Sequence, residues 1–163
     1  MRALTAAALG AVLIAAGACG ARAKTVSVPV VCTPGVNARL AQLIAEHHDG
    51  PVDNVLVCGT TLEPSRPQRG FRGYHELIPL RVPLANDGSI AWVEVVTNDD
   101  LDGVVHAPRN ATVYAYGQYF LTTKRQRPFV AGIHDVHCAT HRGADDGWVV
   151  VNGAKYPRVG CGG

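Results

Sequence analysis

The sequence predicts a mainly β domain, a small, partly closed antiparallel barrel or strongly curved sheet preceded by one N-terminal helix. Two observations carry this. Runs of β-branched and aromatic residues at 52–62, 74–84, 89–97, 111–122, 129–138 and 148–156 recur between turn-forming segments. Helical spacing occurs at 36–48, where Leu40, Leu43, Ile44 and His47 share a face, Thr33-Pro34 precedes it and Asp49-Gly50-Pro51 ends it. Short strands in that number with one helix suit a barrel that closes on itself. Pro79 and Pro83 place the second run at an edge or shorten it, because proline donates nothing to a ladder.

The first residues read as an export signal. Met1-Arg2 precedes an apolar stretch, 3–18, that is too short to span a bilayer comfortably and has the layout of a secretory leader. Two cleavage positions fit. One follows Ala21-Arg22-Ala23 and leaves Lys24 first; the other precedes Cys19 in Ala16-Gly17-Ala18-Cys19, which resembles a bacterial lipoprotein box with Cys19 as the lipidated residue. The expected division is a signal peptide at 1–23, an N-terminal helical segment at 24–51 and a β-barrel domain at 52–163. The expected location is outside the cytoplasm: periplasmic, secreted or lipid-anchored.

Five cysteines is an odd number for an exported chain, and Cys19 is the one to set aside. The remaining four allow three connectivities. The sequence-local pairs Cys32 with Cys58 and Cys138 with Cys161 are the expected ones, each contributing about 3–4 kcal/mol by restricting the unfolded chain. Of 15 basic and 13 acidic residues, Arg2 and Arg22 precede Lys24, so the chain from Lys24 onward is neutral. It lacks the basic field that duplex DNA requires. Residues 64–73 (PSRPQRGFRG) form a basic, breaker-rich loop.

Residues that could do chemistry concentrate at 133–156, which holds three of the seven histidines and Cys138. If 129–138 is one regular strand, His134, Val136 and Cys138 point one way while Ile133, Asp135 and His137 point the other. His134 then reads as a core histidine bonded to backbone. His137 and His141 could meet at the strand's end, with His75 supplied from another strand, making an open zinc site with room for water. Asp135, Asp145 and Asp146 either orient such imidazoles or shape the turn around 142–147. Asn98, Asp100, Asp102 and Gly103 imitate the start of a calcium loop, yet its twelfth position is Arg109, so the segment reads as a polar connection. On the fourth run, Thr112, Tyr114, Tyr116, Gln118 and Phe120 share a face. Tyr114 and Tyr116 could stack on ligand rings beside Lys124, Arg125 and Arg127, or else pack against the N-terminal helix.

His134-Asp135-Val136-His137-Cys138, followed by Gly147-Trp148-Val149 and Asn152-Gly153-Ala154-Lys155-Tyr156, resembles the closing signature of a family of small exported bacterial proteins known only as a domain of unknown function. In that family a His-Trp-Thr-His-His-Asp-Pro run leads to Gly-Trp-Ile and an Asn-Gly-x-x-Tyr hairpin. Gly73-Tyr74-His75, Asn98-Asp99 and Ala115-Tyr116-Gly117-Gln118-Tyr119 extend the likeness over residues 52–157. The resemblance implies a barrel like the oligonucleotide/oligosaccharide-binding (OB) fold. His134 and His137 carry over, as does His75. Cys138 stands where the family has a second histidine, Asp135 replaces tryptophan and Ala139-Thr140 replaces Asp-Pro, which weakens a metal reading. The functional expectation is a binding or interaction module for a glycan or a protein, with no cofactor and no nucleic acid, reaching a membrane only through lipid on Cys19. The alternative is a zinc-dependent hydrolase using His75, His137 and His141.

Overall fold

A computed structural model describes residues 26–123, 128–140 and 145–161. The N-terminal stretch 1–25 with Cys19, together with Lys124, Arg125, Arg127 and His141, lies outside the described residues. In chain order the elements are α1 (Ala38–Ala45), β1 (Val52–Thr61), β2 (Arg66–Gly70), β3 (Gly73–Pro83), β4 (Ile90–Asn98), α2 (Asp99–Asp102), β5 (Thr112–Leu121), β6 (Ala131–His134), β7 (Trp148–Val151) and β8 (Ala154–Tyr156).

Five strands form a ring in the order β1-β3-β4-β6-β5 and back to β1. The β4–β6 pairing is parallel and the other four are antiparallel. This is the mainly β, OB-like, partly closed barrel that the sequence leads one to expect. Closure is incomplete because β1 meets β3 only at Thr60↔Arg81 and Thr61↔Leu80. Pro79 falls between the part of β3 that β2 covers, ending at Leu77, and the part that β1 covers, beginning at Leu80, so it interrupts neither ladder.

Four elements differ from the sequence reading. The basic loop contains a strand, β2, which hairpins onto the start of β3. The polar connection after β4 is a helical turn, α2, in which Asn98 accepts the Asp100 N–H. The run 129–138 is strand only over 131–134. The last run splits into β7 and β8 at Asn152-Gly153, both with positive φ, as a tight hairpin with right-handed twist requires.

Alternation sorts the side chains into two apolar clusters. Val55, Val57, Ile78, Leu80, Val93, Val95, Val113, Tyr119, Ile133 and Val149 fill the barrel, and Leu40 and Leu43 of α1 are buried with them. A second cluster lies on the outer face of β1, β5 and β7, where Cys58, Tyr114, Tyr116, Trp148 and Val150 are covered by Val26, Val28, Cys32 and Val36. The Cys32–Cys58 disulfide staples this N-terminal strap down, and Cys138–Cys161 ties the C-terminus to the loop after β6. Both expected pairings are formed. Two disulfides indicate an oxidising environment.

Asn37 joins helix, strap and barrel. It is fully buried; its amide donates to the carbonyls of Cys58 (3.1 Å) and Pro83 (2.8 Å), and its Oδ1 accepts the Cys58 N–H (2.7 Å). Its side chain therefore caps no N–H of α1 and instead satisfies groups of two strands. Asn37→Ala leaves those buried groups unpaired, and we expect a loss of at least about 2 kcal/mol in unfolding free energy by urea titration, with both disulfides retained.

Candidate functional site

The outer face of β3, β4, β6 and the end of β5 carries an open cleft of about 760 Å³, lined by Arg72, His75, Asn98, Leu101, Phe120, His134, Asp135, His137 and Thr140, among others. Strand register explains the walls. His75 pairs with Asn98 across β3 and β4, and Gln118 with His134 across β5 and β6. Phe120 lies opposite Gly132, and a Cβ on Gly132 would collide with the phenyl ring at its Cζ. Glycine thus lets the ring lie against the sheet, where it meets the His134 imidazole edge to face at 5.2 Å and 71°.

After His134 the backbone leaves the strand through Asp135, which has φ 51°, a left-handed conformation that Asp tolerates better than most residues. That single residue breaks the alternation expected for 129–138. Ile133 and Val136 both enter the barrel core, while His134 and Asp135 face the cleft and His137 is 9% exposed. His134 is therefore not the core histidine; it is half-buried at the surface and bonds a carboxylate. His137 is the one satisfied by backbone, its Nδ1 lying 2.9 Å from the Cys138 carbonyl, to which it donates.

Asp135 ties the two imidazoles together, with Oδ1 3.1 Å from His134 Nδ1 and 3.5 Å from His137 Nε2. With His134 Nδ1–H donating to Asp135, its Nε2 is left to accept from a ligand. Below this group lies Asp102, 2% exposed. One of its oxygens accepts the Asn98 N–H and the other is buried without a partner. Burial pushes its pKa up to about 6, opposed by the Asn98 N–H and by His137 and reinforced by Asp135 and Asp99. Glu76 is raised too, chiefly by burial.

The structure brings His75 and His137 to one cleft and adds His134, whose place in a strand had hidden it. It does not bring the tyrosines there. Tyr114 and Tyr116 are 7% and 5% exposed, so the expectation of an exposed stacking pair is corrected. Cys58 pairs with Tyr114 in register, so the disulfide that anchors the strap at Cys58 seats it over these rings. Tyr116 donates its hydroxyl to Asp145 at 2.8 Å; burial raises its pKa, and the bond to the Asp145 carboxylate raises it further. Phe120, beyond the strap on the same strand face, is the exposed-side aromatic.

The donor set fits a preassembled metal centre poorly. Among the described residues, the trio of potential ligand atoms within 4.8 Å of one another is Cys138, Asp146 and Cys161, and its two sulfurs are joined in a disulfide. His75, His134, Asp135 and His137 share a cleft without converging as a trio, and His137 Nδ1 is engaged by a carbonyl. Compared with known proteins, the chain matches no family model, no curated protein and no solved structure.

The Asp102 carboxyl gives a pH prediction. A raised pKa means that the folded state holds this proton more tightly than the unfolded chain does. The associated stability is present at low pH and is lost as pH rises from about 4 through 6. Asp102→Asn keeps an acceptor for the Asn98 N–H and carries no charge. In urea titrations it should exceed the wild type in stability by about 1–3 kcal/mol at pH 7.5, with the gap closing towards pH 4.5.

Proposed function

We propose that this protein is an exported bacterial binding module whose ligand is a glycan lying in the outer-face cleft. The observation that carries the reading is Phe120, held flat against the sheet over Gly132 and ringed by groups that bond hydroxyls: Arg72, His75, Asn98, His134 and Asp135. A sugar ring offers an apolar face for stacking and equatorial hydroxyls for a carboxylate, an amide and imidazoles, and this mixture of one platform with several convergent polar groups suits it. In OB-like barrels this face is the usual place for extended ligands. The neutral charge of the chain from Lys24 onward supports a glycan over a nucleic acid.

Export through the 1–23 segment, with lipidation of Cys19 as one form, belongs to the same reading, supported by the two disulfides. So does membership of the unknown-function family that the 134–156 signature resembles. The metal-dependent hydrolase on His75, His137 and His141 is the weaker reading, because the described imidazoles do not converge.

Titration of the protein with an oligosaccharide array, followed by calorimetry on the best binder, tests the proposal. Phe120→Ala should weaken that binding by about 1–2 kcal/mol, roughly ten-fold in Kd, without altering the fold. Near-stoichiometric zinc in the purified protein, removed by His137→Ala, would instead transfer the cleft to the hydrolase reading.

A further inference from the structure

The β2–β3 hairpin projects beside the cleft, and its composition is unlike the rest of the surface. Residues 64–75 contain Arg66, Arg69 and Arg72 and no acidic residue. Every position of β2 is exposed. At the turn, Phe71 is 104% exposed, as open as a side chain can be, and Tyr74 is 55% exposed. The turn is closed by Gly73 at φ 101°, a conformation that suits glycine and lets the Phe71-Arg72 corner stand clear of the sheet.

The charges divide into held and free. Arg66 leans on Glu94 at 3.4 Å, and the Arg69 guanidinium lies over the Tyr74 ring at 6.0 Å. Neither Arg69 nor Arg72 forms an ion pair among the described residues. Asp100 stands against the turn at Gly73, and it forms no ion pair with either arginine among the described residues. Leu101, 48% exposed, lines the cleft with Arg72 and extends the apolar surface from the hairpin onto α2.

We propose that this hairpin is a membrane-docking element that inserts Phe71 into the interface of an anionic phospholipid surface while Arg69 and Arg72 engage the headgroup phosphates. The pairing of a fully exposed aromatic apex with flanking guanidiniums is what distinguishes a lipid surface from a soluble polyanion. A polyanion would satisfy the arginines and leave the phenyl ring in water, whereas an interface takes both. The proposal shares Arg72 with the cleft and rests on Phe71 and Arg69, which do not line it. It places the mouth of the cleft, through Arg72 and Leu101, close to the bilayer.

The test is co-sedimentation with large unilamellar vesicles. Protein exported by a bacterial host and carrying Cys19→Ser, so that no acyl chain contributes, is mixed with vesicles of phosphatidylcholine alone or with 40 mol% phosphatidylglycerol, a composition on the order of the anionic content at which such charges act. Binding is expected to the anionic vesicles and not to the neutral ones. Phe71→Ser should lower the partition coefficient roughly ten-fold, and Arg69→Ser roughly five-fold. Phe71 touches nothing that folding requires, and an unchanged circular dichroism spectrum checks this. Three results would overturn the proposal: no binding to anionic vesicles, equal binding by Phe71→Ser, or binding that a soluble sulfated polysaccharide matches with no dependence on Phe71.

Discussion

The arrangement depends on one crossing of backbone over backbone. Along one edge, β5 is shared: its first half, to Tyr116, pairs with β7, and its second half, from Gln118, pairs with β6. Gly117 sits at the changeover. The chain leaving β6 must pass between these partners, and its closeness is set by atoms that are missing. A Cβ on Gly117 would strike the His134 carbonyl and crowd that of Asp135, and one on Gly147 would strike the Asp135 and Tyr116 carbonyls. Gly117 on β5 and Gly147 just before β7 therefore seat two successive carbonyls, and the Gly147 N–H reinforces the seat by donating to the His137 carbonyl at 2.7 Å.

From that seat the site follows. Holding the Asp135 carbonyl fixes the left-handed turn, which sends Val136 into the core and swings His134, Asp135 and His137 towards one cleft. The backbone strain of a non-glycine residue with positive φ is sustained because packing on both sides determines it. The electrostatics are coupled to the same turn. Asp135 approaches both imidazoles, and His137 in turn opposes the desolvation of Asp102 beneath it. Fold and cleft thus share one structural cause.

Much of this was legible in the residues. Period-two alternation over 112–120 separated Tyr119, in the core, from the outward Tyr114, Tyr116 and Phe120, and the sequence-local cysteine pairs were the pairs formed. Alternation cannot say what covers an outward face. The strap at 26–36 hides Tyr114 and Tyr116 and stops short of Phe120, and only the position of Cys58 opposite Tyr114 reveals it. Likewise, a period-two reading assumes an unbroken strand. Asp135 breaks it at one residue, exchanging the expected roles of His134 and His137. The hairpin at 66–70 was hidden for another reason, since Arg-Pro-Gln-Arg-Gly has the composition of a loop and is a strand only because β3 pairs with it.

The central claim is that Gly117 and Gly147, by admitting the His134 and Asp135 carbonyls, aim the histidines into the cleft. The most direct measurement is imidazole ¹⁵N–¹H NMR of the wild type and of Gly147→Ala. The account predicts that the His134 and His137 resonances shift together, reflecting lost contacts with Asp135 and the Cys138 carbonyl, while those of His47 and His48, beyond the end of α1, stay where they are. Unchanged His134 and His137 resonances in a folded Gly147→Ala protein would contradict it.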